Sequence, residues 1–193
     1  MTTKLKVSSK RKEISNYLKG MRSPSPNLPN ISVSQLNTAS AFVVWCVQYW
    51  CRSTGKNINP NLGIKKAFDK TNINSRCADV SSEFDNIMKY ISASSQHRFN
   101  SLYGTYHSIG NIEKVFLIVL SLEQNDKGHL SSRVLNTYLP LSCSRIIGSK
   151  FTFLSMALAR VKLNINLEPE LIDTLAMFLS GNNPNIINNR ICN

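Results

Sequence analysis

Acidic residues are scarce in this 193-residue chain. It has 11 Asp and Glu against 23 Lys and Arg, which gives a formal net charge of +12 at pH 7. Such an excess disfavours the compact state by self-repulsion, so it is typical of proteins that bind a polyanion, either a nucleic acid or an anionic membrane. The alternative, a basic protein without such a partner, stays open on charge alone.

Long apolar runs and a leader segment are also missing. No run approaches the roughly 20 apolar residues that a membrane-spanning helix needs. The first residues are charged and then rich in proline, without the apolar stretch of a signal peptide. The five cysteines are scattered, and Cys46 and Cys51 lie in an apolar segment where cysteine behaves as a small hydrophobic residue. We therefore expect a protein of a reducing compartment.

Motifs for catalysis and metal binding are absent from the sequence. His97, His107 and His129 are too scattered for a ligand motif, and there is no CxxC, HExxH or GxSxG pattern. Gly148-Ser149-Lys150 has the wrong order for a phosphate-binding loop and lacks its first glycine. The sequence therefore predicts that the protein is not an enzyme and needs no cofactor or metal.

The apolar residues repeat at helical spacing, and strand alternation is nearly absent. Residues 33–52 hold both tryptophans and are apolar around most of the helix, which predicts a central helix wrapped by others and ended near Gly55. Further helices are predicted over about 61–70, 75–94, 111–123, a segment ending before Pro140, 142–163, and a last segment that Asn166 caps and Gly181 ends. These patterns predict an all-α fold: a single bundle of about six or seven helices over residues 32–181. A flexible, basic, Pro-rich arm (1–31) would precede it and a flexible tail (182–193) would follow.

Three stretches concentrate positive charge. The arm has seven cations against one acid, and two further stretches, 14–68 and 127–167, contain no acid. If the two acid-free stretches meet in space, they would form one basic groove for a single-stranded nucleic acid, with Phe99, Tyr103 and Tyr106 stacking on bases. Alternatively, these aromatic side chains lie in the core and the cations are simply solvated. The candidate nucleic-acid-binding residues are Lys4, Lys6, Lys10, Arg11, Lys12, Arg22, Lys65, Lys66, Arg98, Arg133, Arg145, Lys150, Arg160 and Lys162.

Two segments between residues 42 and 104 carry a resemblance to a known family. The run Phe42-Val43-Val44-Trp45-Cys46 is followed by Gly55 and by Asn57-Ile58-Asn59, and later by Tyr90-Ile91, Arg98-Phe99 and Tyr103-Gly104. This order resembles that of the coat proteins of flexuous filamentous plant viruses, of the potyvirus type. The chain departs from the family at Phe151-Thr152-Phe153, where the family has an acidic residue. The resemblance implies a helical core that polymerises along single-stranded RNA, with Arg98 as a pocket residue.

Charge, fold class and resemblance together predict a non-enzymatic, sequence-tolerant RNA-binding protein of the viral coat or nucleocapsid type. We expect it to be a homo-oligomer on single-stranded RNA, in the cytoplasm of a host cell or in a virion. Two alternatives remain open. One is a small viral suppressor of RNA silencing that binds duplex RNA, and the other is a matrix or interaction protein whose arm binds an anionic membrane.

Overall fold

The chain folds into an all-α domain in the computed structural model, which describes residues 31–76, 80–94 and 107–180. This part contains seven α-helices of ten or more residues and one single helical turn, so the predicted all-α fold of six or seven helices is confirmed. A short 3-10 turn, Val33–Gln35, comes first. The α-helices are α1 (Thr38–Gly55), α2 (Asn61–Lys70), the single turn α3 (Ile73–Arg76), α4 (Val80–Ser94), α5 (Asn111–Gln124), α6 (Gly128–Tyr138), α7 (Leu141–Arg160) and α8 (Pro169–Leu179).

The central helix of the domain is α5. Every residue from Ile112 to Leu122 is buried, and α5 packs against α1, α6, α7 and α8. A helix that is apolar all round can be stable only when neighbours cover it on every side. The prediction of a helix over 111–123 is therefore confirmed. The prediction that the tryptophan-bearing helix is the central one is wrong, because α1 leaves Trp45 44% exposed.

Two predicted helix boundaries also differ from the structure. Helix α1 begins after Asn37, whose side chain accepts a hydrogen bond from the Ser40 amide at 2.8 Å. Gly55 is its last helical residue, and the left-handed conformation that ends the turn falls on Asn57, with φ of 56°. Helix α8 starts with Pro169 after Glu168, so Asn166 does not cap it.

A row of phenylalanine rings crosses the core and joins five helices. The ring centroids are 5.5 Å apart for Phe42 and Phe68, 5.8 Å for Phe68 and Phe84, 5.9 Å for Phe84 and Phe116, and 4.9 Å for Phe116 and Phe151. Tilted and edge-to-face pairs at such distances each add about 0.5–1.5 kcal/mol beyond the area they bury. The row connects α1, α2, α4, α5 and α7 in that order.

The packing of the helices fixes which surfaces are available. Helix α4 packs against both α2 and α7, and α6 packs against both α7 and α8. The start of the described chain is tied to the segment before α5, since the Val33 amide donates to the His107 carbonyl and the Ile109 amide to the Ile31 carbonyl, each at 3.1 Å. Ile31 itself is buried, so the core begins one residue before the predicted boundary at residue 32.

None of the helices in the described ranges is long and apolar enough to cross a membrane.

Candidate nucleic-acid interface

The candidate binding residues lie in several parts of the chain. Lys65 and Lys66 are exposed on α2, Arg133 is exposed on α6, and Arg145 and Arg160 are exposed on α7. Lys150 is half-buried on α7, and Lys162 is exposed just after it. The predicted arm residues Lys4, Lys6, Lys10, Arg11, Lys12 and Arg22, the pocket residue Arg98, and the stacking candidates Phe99, Tyr103 and Tyr106 lie outside the described residues.

Lys150 and Arg133 have structural partners within the domain. Lys150 Nζ forms an ion pair with Glu83 Oε2 at 2.6 Å, which links α7 to α4. The Arg133 guanidinium donates to the Leu179 carbonyl at 3.1 Å, where a cation near the end of α8 complements the helix dipole. These two side chains therefore have structural roles that the sequence pattern did not indicate.

The two acid-free stretches lie on different helices of the bundle. The first includes α1 and α2 and the second includes α6 and α7, while α4 packs against both α2 and α7 and carries Glu83. At the end of α5, the Gln124 side chain donates to the Leu163 carbonyl at 3.0 Å and accepts from the Ile165 amide at 2.8 Å. This bridge brings the turn after α5 close to the turn after α7, where Lys162 lies. We treat the α2 cations and the α7 cations as two separate surfaces.

An exposed aromatic pair lies on the α1–α2 side. The Trp45 and Tyr49 rings stack with centroids 5.1 Å apart and planes inclined by 20°. The other face of the pair is closed by α2, because Gly63 lies so close to Tyr49 that a Cβ added there would overlap the phenol ring. The pair is therefore held in place by packing, while the indole remains 44% exposed.

Lys65 and Lys66 are exposed on α2, the helix whose Gly63 lies against Tyr49. Gly63 is next to Tyr49, and the Phe68 ring contacts Phe42, so α2 runs antiparallel along α1. Residues 65–67 are therefore level with Trp45. We call Trp45, Tyr49, Lys65 and Lys66 the aromatic–basic surface.

Sequence reasoning missed Trp45 as a surface residue because it treated the whole segment as core. Residues seven positions apart lie on the same face of a helix. The residues seven positions before and after Trp45 are Thr38 and Arg52, both polar, which indicates a solvent-facing position for Trp45. Trp50, in contrast, is only 3% exposed.

The aromatic–basic surface has the chemistry needed to bind an unpaired nucleotide. A flat exposed indole can stack on any base, because every base has a π-face, and adjacent ammonium groups can neutralise phosphates. The nearby thiols of Cys46 and Cys51 do not provide a nucleophile, since burial raises their pKa well above the ordinary value of 9.0. A thiol that stays protonated is a poor nucleophile.

Buried charged groups elsewhere have structural roles. Glu113 and Lys114 lie in the first turn of α5, and the Glu113 carboxylate accepts from the Gly110 amide at 3.1 Å, as in a capping box. Burial lowers the pKa of Lys114, while the neighbouring Glu113 opposes that shift. Over the described ranges, no group of three or more His, Cys, Asp or Glu side chains could hold a metal ion.

Comparisons of the chain with protein-family models, with curated proteins and with solved structures gave no match.

Proposed function

We propose that this protein binds single-stranded RNA without reading its sequence and self-associates on it, as a coat or nucleocapsid protein does. The single observation that carries the proposal is the stack of the exposed Trp45 on Tyr49, which packs against the helix that carries the exposed Lys65 and Lys66, in a chain with a net charge of +12. Stacking and phosphate neutralisation are together the usual means of sequence-tolerant binding to single strands.

The geometry favours single strands over duplexes. An exposed indole at the surface of a helix can stack only on a base that has left its own stack, and bases of a duplex are already paired and stacked. A duplex would engage the cations and leave Trp45 without a role. The predicted arm, with six of the candidate cations, would add phosphate contacts that depend on salt.

Titration of fluorescently labelled, unstructured RNA tests the proposal, with the anisotropy of the RNA label as the measure of affinity for every variant and tryptophan quenching of the wild type as a second signal. Trp50 is buried and hydrogen-bonded to Asp85, so quenching on binding reports Trp45. We expect affinity to fall on the order of a thousandfold between about 50 and 200 mM salt for roughly six phosphate contacts. Trp45→Ala should weaken binding by about tenfold, the equivalent of one base stack, while Tyr90→Ala, at an aromatic residue 40% exposed on α4, should leave it unchanged.

A second pair of variants tests the cations. Lys66→Ala should lower the slope of log K against log salt by about 0.7, the value for one phosphate on a single strand. Lys127→Ala, at an exposed residue on the turn between α5 and α6, should change it less. Salt-insensitive binding, preference for a duplex, or binding to anionic vesicles without binding to RNA would each contradict the proposal.

A further inference from the structure

Helix α7 exposes an apolar and basic face that the described domain leaves largely uncovered; one polar contact there is with the Glu123 carboxylate of α5, which accepts a hydrogen bond from Thr152 at 2.9 Å. Nine large hydrophobic side chains are exposed among the described residues, and four of them are on α7: Leu141, Ile146, Phe153 and Met156. Arg145 and Arg160 are exposed on the same side of the helix. No Asp or Glu occurs between residues 141 and 160. We call this surface the α7 face.

Helix α8 exposes a face of opposite character. Ile172 is 53% exposed, and Asp173 and Ala176 are exposed next to it. The half-buried Glu168 and Glu170 lie at the start of the helix, residues 168–180 contain no Lys or Arg, and the Arg133 guanidinium of α6 contacts α8 at its last carbonyl, Leu179. We call this surface the α8 face. It is acidic and apolar, whereas the α7 face is basic and apolar.

We infer that the α7 face of one copy of this chain binds the α8 face of a second copy. Opposite charges bordering apolar side chains give complementary potentials, which favour this pairing and oppose the alternatives. Two α7 faces would bring arginines against arginines, and two α8 faces would bring carboxylates together.

Such a contact joins two different surfaces, so it is heterologous and can repeat. An open assembly presents one unused α7 face at one end and one unused α8 face at the other, so copies can add until a ring closes or a filament grows. This inference rests on the self-association in the proposed function and does not require RNA. The α7 and α8 faces would be the surfaces by which copies associate along an RNA strand.

Mixing of two face variants in RNA-free, nuclease-treated protein tests the inference. One variant, Ile146→Ser with Met156→Ser, loses the α7 face, and the other, Ile172→Ser with Asp173→Ser, loses the α8 face. The wild-type chain should form concentration-dependent oligomers in sedimentation velocity that dissociate as salt is raised. Each variant alone should be monomeric, and their equimolar mixture should stop at a 1:1 dimer, because only one intact pair of faces remains.

The control variant, Ile58→Ser with Leu62→Ser, removes two apolar side chains that are 55% and 66% exposed outside both faces. It should assemble like the wild type. A monomeric wild type, a mixture that stays monomeric, or dimers of the α8-face variant alone would each overturn the inference. Failure of RNA binding with intact assembly would contradict the RNA proposal only, and normal RNA binding by a strictly monomeric wild type would contradict this inference.

Discussion

The indole nitrogen of Trp50 donates a hydrogen bond of 2.7 Å to Asp85 Oδ1, joining α1 to α4 inside the domain. Asp85 is only 4% exposed, and Lys89 Nζ lies 2.6 Å from its other oxygen. The Asn61 side-chain amide of α2 faces the same carboxylate, and with its nitrogen turned toward Asp85 it would donate at 2.9 and 3.2 Å. Polar side chains of three helices, α1, α2 and α4, therefore face one buried carboxylate.

We expect Asp85→Asn to destabilise the domain by about 3 kcal/mol, because the new amide nitrogen leaves a buried donor without an acceptor and removes the charge that Lys89 pairs with. Urea unfolding measures this loss. The matched control is Glu83→Gln, which breaks the ion pair with Lys150. Its two side chains are 30% and 23% exposed, so the cost should stay below about 1 kcal/mol. Equal losses for the two variants would contradict the assigned role of Asp85.

Two glycines in helices should respond in opposite ways to alanine. Gly63→Ala places a methyl group where the Tyr49 ring lies, so we expect a loss of about 1–3 kcal/mol and weaker stacking on Trp45. At Gly148→Ala the new methyl group meets no atom of the described residues within 4 Å beyond its own helix, and the higher helix propensity of alanine should stabilise α7 by about 1 kcal/mol. Thermal unfolding followed by circular dichroism compares the two variants. Stabilisation by Gly63→Ala would show that the Tyr49 contact is not tight.

Tyr138→Phe should stabilise the domain. The Tyr138 hydroxyl is buried and has no hydrogen-bond partner among the described residues, and such a group costs about 1–3 kcal/mol. Burial, with the nearby Glu113 charge, also raises the pKa of this phenol. The gain should therefore be larger above about pH 10, where the unfolded phenol ionises. Urea unfolding at pH 7 and at higher pH measures both effects, and a loss of stability at pH 7 would mean that the hydroxyl has a partner in solution.

Stability should fall as the pH rises above about 9. Burial raises the pKa of Cys46 and Cys51, so these thiols hold their protons in the folded state after they ionise in the unfolded chain. Each group lowers the free energy of unfolding by up to about 1.4 kcal/mol per pH unit above its unfolded pKa. Lys114 acts in the opposite direction, because its folded pKa is lowered.

The variant Cys46→Ala should reduce that slope, measured as the free energy of unfolding between about pH 8 and pH 10. It will also lower stability at neutral pH, so the slope rather than the absolute value is compared. Cys143→Ala is the control, because Cys143 is half-buried on α7. An unchanged slope for Cys46→Ala would show that its thiol ionises in the folded domain.

Local patterns in the sequence predicted most of the helices, because apolar spacing directly reflects which side of a helix faces the core. The apolar positions Val80, Phe84, Ile87, Met88 and Ile91 of α4 are all buried as expected. The identity of the central helix could not be predicted in the same way, because burial of a whole helix depends on how many neighbours surround it.

The candidate site was predicted less well than the fold. The role of Asp85 could not be predicted from a local pattern, because its bond to Trp50 spans 35 residues. Lys150 is among the predicted nucleic-acid-binding cations, but in the structure it pairs with Glu83, which is 67 residues away in the sequence. Pairings of that kind are set by tertiary packing, which no local pattern records.

The complete enclosure of α5 has a consequence for how the domain opens. Its amide protons, from Ile112 to Leu122, lie in a helix that contacts α1, α6, α7 and α8, so solvent can reach them only when the whole bundle separates. Hydrogen–deuterium exchange in α5 should therefore be as slow as global unfolding allows, whereas α8, at the periphery, should exchange through local fraying.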